Sequence, residues 1–396
     1  MTLLKGVFVV AAKRTPFGKF GGKLKDISAT DLQVVANKAA IEQSKVPLDR
    51  IDSVIVGSIL HSSSDAGYLA RHAALKSGIP INVPACTINR LCGSGFQSVI
   101  YGAQEIVLGD SQVVLCGGTE NMSLAPYTVR GNRFGTRLGV DLKLEDSLWA
   151  GLYDSYVQLP MAITAENLAE QYKVSREDAD QVALRSQHRW QAALEKGVFR
   201  EEIAPVTLKA KKGQEQFLVD EHPRGKATMD DLAKLAPVFK KNGTVTAGNA
   251  SGICDGAGAI VLASEKAVNE LNLEPLARLV SYNVSGVDPK IMGIGPVPAI
   301  QGLLKKANMS LDQVDLVDVN EAFSTQFVAV QRALGLDGER TNVNGGAVAL
   351  GHPLAASGSR ITANLVYELR RRGARYGVGS ACIGGGQGIA LLLERV

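Results

Sequence analysis

The run Val46-Pro47-Leu48-Asp49-Arg50-Ile51-Asp52-Ser53-Val54-Ile55-Val56-Gly57 returns, at one constant offset, as Met309-Ser310-Leu311-Asp312-Gln313-Val314-Asp315-Leu316-Val317-Asp318-Val319-Asn320. Leu48 falls on Leu311, Asp49 on Asp312, Asp52 on Asp315 and Val54 on Val317. The same offset carries Leu91-Cys92-Gly93-Ser94-Gly95 onto Leu354-Ala355-Ala356-Ser357-Gly358. Two separate blocks in one register indicate a duplicated unit, and two copies are too few for a solenoid. Each copy sets a helical pattern (Leu32 to Gln43; Ala299 to Ala307) ahead of an apolar strand.

Outward from this repeat, short apolar runs alternate with helical stretches: Val113-Val114-Leu115, Ile260-Val261-Leu262 and Ile389-Ala390-Leu391-Leu392-Leu393. Continuous apolar strands suit a sheet covered on both faces, and the alternation predicts mostly parallel α/β layers. From about Met122 to Ala247 the pattern breaks into charged loops such as Lys209-Ala210-Lys211-Lys212 and one amphipathic helix, Arg176 to Lys196. The organisation expected is a first half over 1–121, an inserted loop domain over 122–247, the end of the first half over 248–270, and a second half over 271–396. The inserted part reads as a substrate cover, an oligomer contact, or both.

At 396 residues the chain is too long for one small core. Hydrophobic content of 45% and charge of 21% are those of a globular protein, and no apolar run is long enough to span a membrane. A net charge of +4 is too diffuse to imply nucleic acid but suits a phosphate-bearing small substrate. Five scattered cysteines argue for a reducing compartment, and their spacing does not suit a metal site. The start, Met1 to Lys25, carries Lys5, Lys13, Arg14, Lys19, Lys23 and Lys25 and no acid. That resembles a mitochondrial targeting segment. Gly6 to Ala11 also reads as a first buried strand, so an uncleaved signal built into the fold satisfies both.

Four small-residue turns hold groups able to do chemistry. Cys92 stands between Leu91 and Gly93 ahead of a helix over Ser94 to Leu108, where helix-start N–H groups lower a thiol pKa and can hold an oxyanion. His352, between Gly351 and Pro353, is an imidazole in a rigid turn that could take the Cys92 proton. Cys382 ends a strand before Gly384-Gly385-Gly386, whose amides could face an oxygen. Asn320 ends the strand Leu316 to Val319 and starts a helix through Glu321-Ala322-Phe323, either as an N-cap or as the holder of an active-site water. The plainer readings are small buried cysteines, a histidine bonded to a carbonyl and a capping asparagine. Together the four suggest acyl transfer through a thioester. Cys86, Cys116 and Cys254 lack such settings and read as structural.

At these residues the chain resembles the thiolase family over essentially its whole length, from Ala11-Ala12-Lys13-Arg14-Thr15-Pro16-Phe17-Gly18 to Cys382-Ile383-Gly384-Gly385-Gly386. It is most similar to the degradative mitochondrial branch, on Thr87 to Cys92, Leu142 to Trp149 and Gln158 to Ala162. The resemblance implies a five-layered α-β-α-β-α fold of two halves with a loop domain, a homotetramer built as a dimer of dimers, and the mitochondrial matrix. It implies CoA-dependent cleavage of 3-ketoacyl-CoA to acetyl-CoA and a shortened acyl-CoA, with CoA as substrate and no required cofactor or metal. By the same resemblance Cys92 is the acyl acceptor, His352 its activator, Cys382 the acid/base thiol and Asn320 the holder of a catalytic water. The N–H groups of Cys92 and Gly384 form an oxyanion hole. Arg224, Thr228, Phe239, Ala247 and Ser251 contact CoA, and Leu152, Met161 and Phe323 border the pantetheine or acyl path. Alternatives are an enzyme confined to acetoacetyl-CoA, acyl-CoA hydrolysis, a decarboxylating ketoacyl synthase and a non-catalytic lipid carrier. The family usually has glycine where this chain has Ala355, which would crowd the catalytic turn if φ there were positive.

Overall fold

The computed structural model describes residues 4–210 and 213–396. Met1–Leu3 of the acid-poor start, and Lys211 and Lys212 of the charged loop, lie outside the described residues. The first half contains β1 (Val7–Arg14), α1 (Ala29–Ser44), β2 (Ser53–Gly57), β3 (Ala85–Ile88), α2 (Ser94–Leu108) and β4 (Val113–Asn121). Between β4 and β5 (Cys254–Ser264) the chain makes α3 (Met161–Tyr172), α4 (Arg176–Glu195) and short two-stranded ribbons. There follow β6 (Ala277–Gly286), α5 (Pro296–Ala307), β7 (Leu316–Val319), α6 (Ser324–Leu334), α7 (Ser357–Arg372), β8 (Tyr376–Ile383) and β9 (Gln387–Arg395).

The strands run in the order β3-β2-β4-β5-β1-β6-β9-β8-β7, with Gly18–Lys19 added beside β5. From the middle outward, β1-β5-β4-β2 mirrors β6-β9-β8-β7. Each half has one matching parallel pair, β2 with β4 and β7 with β8. Each innermost strand carries an irregularity, between Val9 and Ala11 and between Leu279 and Ser281. The mostly parallel sheet expected from the sequence is therefore corrected to a mixed one. Besides these two pairs only β2 with β3 is parallel among the described pairs of the main sheet. The reason is that β9 doubles back on β8 through the glycine turn, and β5 returns from the insertion antiparallel to β4.

α1 covers β1, β4 and β5 on one outer face, and α5 covers β6, β8 and β9 on the other. α2 and α7 pack on each other between strands of both halves, which completes five layers. Phe96, Val99, Ile100 and Ala103 of α2 follow helical spacing and share one buried cluster with Ile361, Leu365 and Leu369 of α7. Burying each large side chain of this set stabilises the fold by about 1.5–3 kcal/mol. The two helices meet at residues the repeat aligns. A Cβ on Gly95 would lie 3.1 Å from Gly358 Cα, and one on Gly358 would lie 3.0 Å from Gly95 Cα. Only glycine allows backbones to approach this closely. The duplication thus places Cys92 and its counterpart Ala355 on either side of this crossing.

Strand β1 of the basic start is buried with Arg14, while Lys5, Lys19, Lys23 and Lys25 are exposed. Arg14 is fully buried and bonds Glu202 at 2.6 Å and Asp220 at 2.6 Å, tying β1 to the inserted segment. Cys116 and Cys254 are buried, and Cys86 is exposed on edge strand β3. Among the described residues no helix is long and apolar enough to cross a membrane.

Candidate active site

Cys92 stands immediately before Gly93, the N-terminal cap of α2. The turn that delivers it is held by its own side chains. Asn89 Oδ1 accepts from the Leu91 N–H (2.9 Å), and Ser94 Oγ accepts from Arg90 N–H (2.8 Å) while donating to Leu91 O (2.7 Å). Leu91 has φ 46°, a left-handed conformation that costs a non-glycine residue roughly 1–3 kcal/mol. Such strain persists only where the surroundings over-determine it, and here it aims the next residue. The residue is half-buried, yet desolvation around its sulfur dominates and lifts the thiol pKa to about 11. The N–H groups of Gly384 and of Cys92 itself work the other way, and the Glu120 carboxylate adds to the rise. The resting group is a neutral thiol with two amides trained on it.

His352 follows the short helix Ala347–Leu350. Gly351 turns the chain with φ 94°, and a Cβ there would lie 1.9 Å from Cys254 Sγ. His352 N–H donates to Gly252 O (2.8 Å), fixing the turn. Nδ1 lies 2.6 Å from Ser357 Oγ, which itself donates to Pro353 O at 3.2 Å. With the serine proton so engaged, Nδ1–H is the donor. Nε2 is then left with its lone pair, 3.3 Å from Asn320 Nδ2. Burial, and then the Arg360 charge, push the imidazole pKa down to about 3, so it is a neutral acceptor at pH 7.

Asn320 and Cys382 come from the carboxyl ends of neighbouring parallel strands, β7 and β8. Asn320 N–H donates to Ser380 O at 2.9 Å. Asn320 does not cap a helix as the sequence suggested. α6 begins at Ser324 with Phe323 at its cap, because Glu321 is held inward by Asn342 Nδ2 (2.9 Å), Ser186 Oγ (2.7 Å) and Val348 N–H (3.2 Å). Asn320 Oδ1 is buried without a partner among the described residues, which suits an acceptor awaiting a small polar group. Cys382 is buried among Met292, Ala322, Met161 and Phe323. Burial, then the neighbouring Cys92, push its pKa above that of a free thiol. A Cβ on Gly384 would lie 3.2 Å from the Leu91 side chain, so the two cysteine turns face each other.

Above this group lies an apolar cavity of about 210 Å³ lined by Leu152, Met161, Phe239, Ser251, Phe323 and His352. Arg224 and Ala247 instead line an adjoining groove of about 610 Å³ with Gln187, His222 and Lys226. The segment 246–251 runs between the two and is stitched to the Asn320 turn by Ser251 N–H to Ala322 O (3.0 Å) and Ser324 N–H to Asn249 O (2.8 Å). Thr228 lines neither space. It caps the helix Met229–Ala233, exchanging hydrogen bonds with Asp231. Ala355 has no positive φ and sits in a short 3-10 turn, so the methyl is harmless there. The sequence reading missed Trp149, stacked on Phe239 at 6.2 Å, and Leu354, Met122 and Ser357. Ser357 had a signal: it is the repeat's counterpart of Ser94, which pins the Cys92 turn in the same manner. Among the described residues no three His, Cys, Asp or Glu side chains gather as a metal site.

Family models place the N-terminal domain of thiolase on residues 7–266 and its C-terminal domain on residues 273–395. The chain belongs to the thiolase family. This thiolase is 64% identical, over 100% of its length and 99% of the relative's, to the mouse protein named mitochondrial 3-ketoacyl-CoA thiolase. It is 48% identical to an acetyl-CoA acetyltransferase of Pseudomonas aeruginosa, over 99% of this chain and 100% of that one. The crystal structure of human mitochondrial 3-ketoacyl-CoA thiolase superposes with a TM-score of 0.98 at 64% identity, covering both chains completely.

Proposed function

We propose that this thiolase is an acyltransferase that cleaves 3-ketoacyl-CoA with CoA, giving acetyl-CoA and an acyl-CoA shortened by two carbons, in fatty acid β-oxidation. The observation that carries the reading is the grouping of two thiols, a neutral imidazole and an amide beneath an apolar cavity. His352 Nε2 takes the Cys92 proton and the thiolate adds to the 3-keto carbon. The C2–C3 bond breaks, the acyl group stays on Cys92, and the electron pair passes to the thioester carbonyl as an enolate. His352 Nε2–H and a water held by Asn320 donate to that oxygen. Cys382 gives its proton to C2, releasing acetyl-CoA. The incoming CoA thiol gives its proton to Cys382 and attacks the acyl-Cys92 thioester, whose oxyanion meets the N–H groups of Cys92 and Gly384. The acyl–Cys92 bond then breaks, the shortened acyl-CoA leaves, and Cys92 takes its proton back from His352 Nε2. Donors so placed are typically worth about 3–4 kcal/mol in the transition state. The groove at Arg224 and Ala247 suits the phosphates and adenine of CoA, with Phe239, Ser251, Leu152, Met161 and Phe323 along pantetheine or the acyl tail. Thr228 would reach CoA only by its hydroxyl's free side. CoA enters as substrate, and the scheme calls on no metal.

A second reading, confined to acetoacetyl-CoA, has the acetyl-CoA acetyltransferase relative behind it. Comparing kcat/KM for thiolysis of acetoacetyl-, 3-ketohexanoyl-, 3-ketooctanoyl- and 3-ketohexadecanoyl-CoA separates the two. Comparable or higher values on the longer chains are expected, and activity on acetoacetyl-CoA alone would overturn the first reading. Hydrolysis of the acyl-enzyme would appear as free acid when CoA is withheld.

The region 122–247 is proposed as a loop domain serving CoA binding and assembly into a tetramer. Its ribbon of Tyr127–Val129 with Leu144–Asp146 leads to Phe134 and Leu138, both fully exposed. Apolar side chains so placed mark an interaction surface. Light scattering should give a tetramer, and a monomer would contradict it. The names of the relatives support a mitochondrial location. The matrix, with the acid-poor start retained, is the finer reading proposed, and fractionation and N-terminal sequencing test it.

A further inference from the structure

Glu120, near the end of β4, is fully buried, and its hydrogen bonds are all to backbone N–H groups. Oε1 accepts from Ile59 (3.3 Å) and Leu60 (2.9 Å), and Oε2 accepts from Ala355 (3.2 Å). A buried carboxylate is costly unless such donors compensate it, so a carboxylate at this place calls for an explanation. The two loops it joins are far apart in sequence. One follows β2. The other is the turn that starts at His352. The carbonyl of Ala355 is wedged as well: a Cβ on Gly95 would approach it to 2.6 Å and one on Gly118 to 1.9 Å. Leu60, Met122 and Leu354, adjacent to these bonds, pack together with Leu148, and Met122 and Leu354 form part of the cavity wall.

We propose that Glu120 is a positioning residue for the reaction, fixing the His352 turn and the cavity wall against the Cys92 end of α2. It touches no substrate and acts through Ala355 and Leu60. Its charge also reaches the nucleophile. The groups acting on the Cys92 thiol are Glu120 from β4 and the N–H groups of Cys92 and Gly384, and Cys382 on β8 responds to Cys92 in turn. His352 lies in the turn that Glu120 holds and feels Arg360. Burial raises the Glu120 pKa to about 7 despite its three donors. The proposal rests on the thiolytic reading for its catalytic consequence only.

Two variants separate geometry from charge. Glu120→Gln keeps the shape, but its NH2 cannot accept from one of the two loops, and the charge is gone. Glu120→Asp keeps the charge on a shorter arm. Both are expected to lose on the order of 10–100-fold in kcat, as small misplacements do, with KM for CoA unchanged. In the Gln variant the pH midpoint for alkylation of Cys92 by iodoacetamide should fall below that of the wild type, and in the Asp variant it should stay. A Gln variant with wild-type kcat overturns the proposal. So does a parallel change of kcat, KM for CoA and Tm with an unmoved alkylation midpoint, the mark of a carboxylate that only holds the fold together. Alkylation uses no acyl-CoA, so an inert wild type would sink the thiolytic reading, while the midpoints still decide what Glu120 does.

Discussion

Cys92→Ala is expected to end acyl transfer, with kcat down on the order of 10⁴-fold or more and no acyl-enzyme formed. Cys92 has two backbone N–H groups trained on its sulfur and stands at the start of a 15-residue helix. Cys382 is buried under Met161 and Phe323 beside the β8–β9 turn, where no helix begins. Losing the sulfur of a half-buried cysteine changes stability by no more than about 1 kcal/mol, so the variant should keep its fold. Peptide mapping after exposure to 3-ketooctanoyl-CoA checks the assignment. A stable acyl adduct on any other residue of the wild type would refute it.

Cys382→Ser should lower kcat by about 10²–10⁴-fold, the usual range for losing a general acid or base. The hydroxyl fits the space but is a far weaker acid than a thiol, so it protonates the enolate slowly and cannot take up the CoA proton near neutral pH. Burial and the neighbouring Cys92 already hold the Cys382 proton tightly, which suits a group that must keep it until the carbanion appears. Iodoacetamide should still alkylate Cys92 in this variant. Unaltered turnover would remove Cys382 from the mechanism, whereas loss of alkylation at Cys92 would show that the substitution had disturbed the nucleophile itself.

The repeat carried most of the fold because duplicated positions must satisfy one packing geometry twice. Gly95 and Gly358, aligned by offset alone, touch at the crossing of α2 and α7. Strand direction was not legible, since a strand covered on both faces reads as an apolar run whichever way it points, and β5 and β9 are covered in this way. α3 was missed because the inserted segment's short elements and loops obscure its period. The catalytic candidates were legible because cysteines and a histidine beside glycines, with an asparagine at a strand end, stand out in the chain. Their supports were not: Ser357, Glu120 and Glu321 act through contacts across 5, 235 and 135 residues of chain, and residues so placed look like ordinary polar positions. Thr228 shows the converse, a plausible ligand contact whose hydroxyl the structure commits to a helix cap.

The most direct test of the account is a single turnover of the wild-type enzyme with 3-ketooctanoyl-CoA and no free CoA, quenched and analysed for both products. One equivalent of acetyl-CoA per chain is expected, with a hexanoyl group on Cys92 that added CoA removes as hexanoyl-CoA. Release of acetyl-CoA without a Cys92 adduct, or an adduct that CoA cannot discharge, would contradict it.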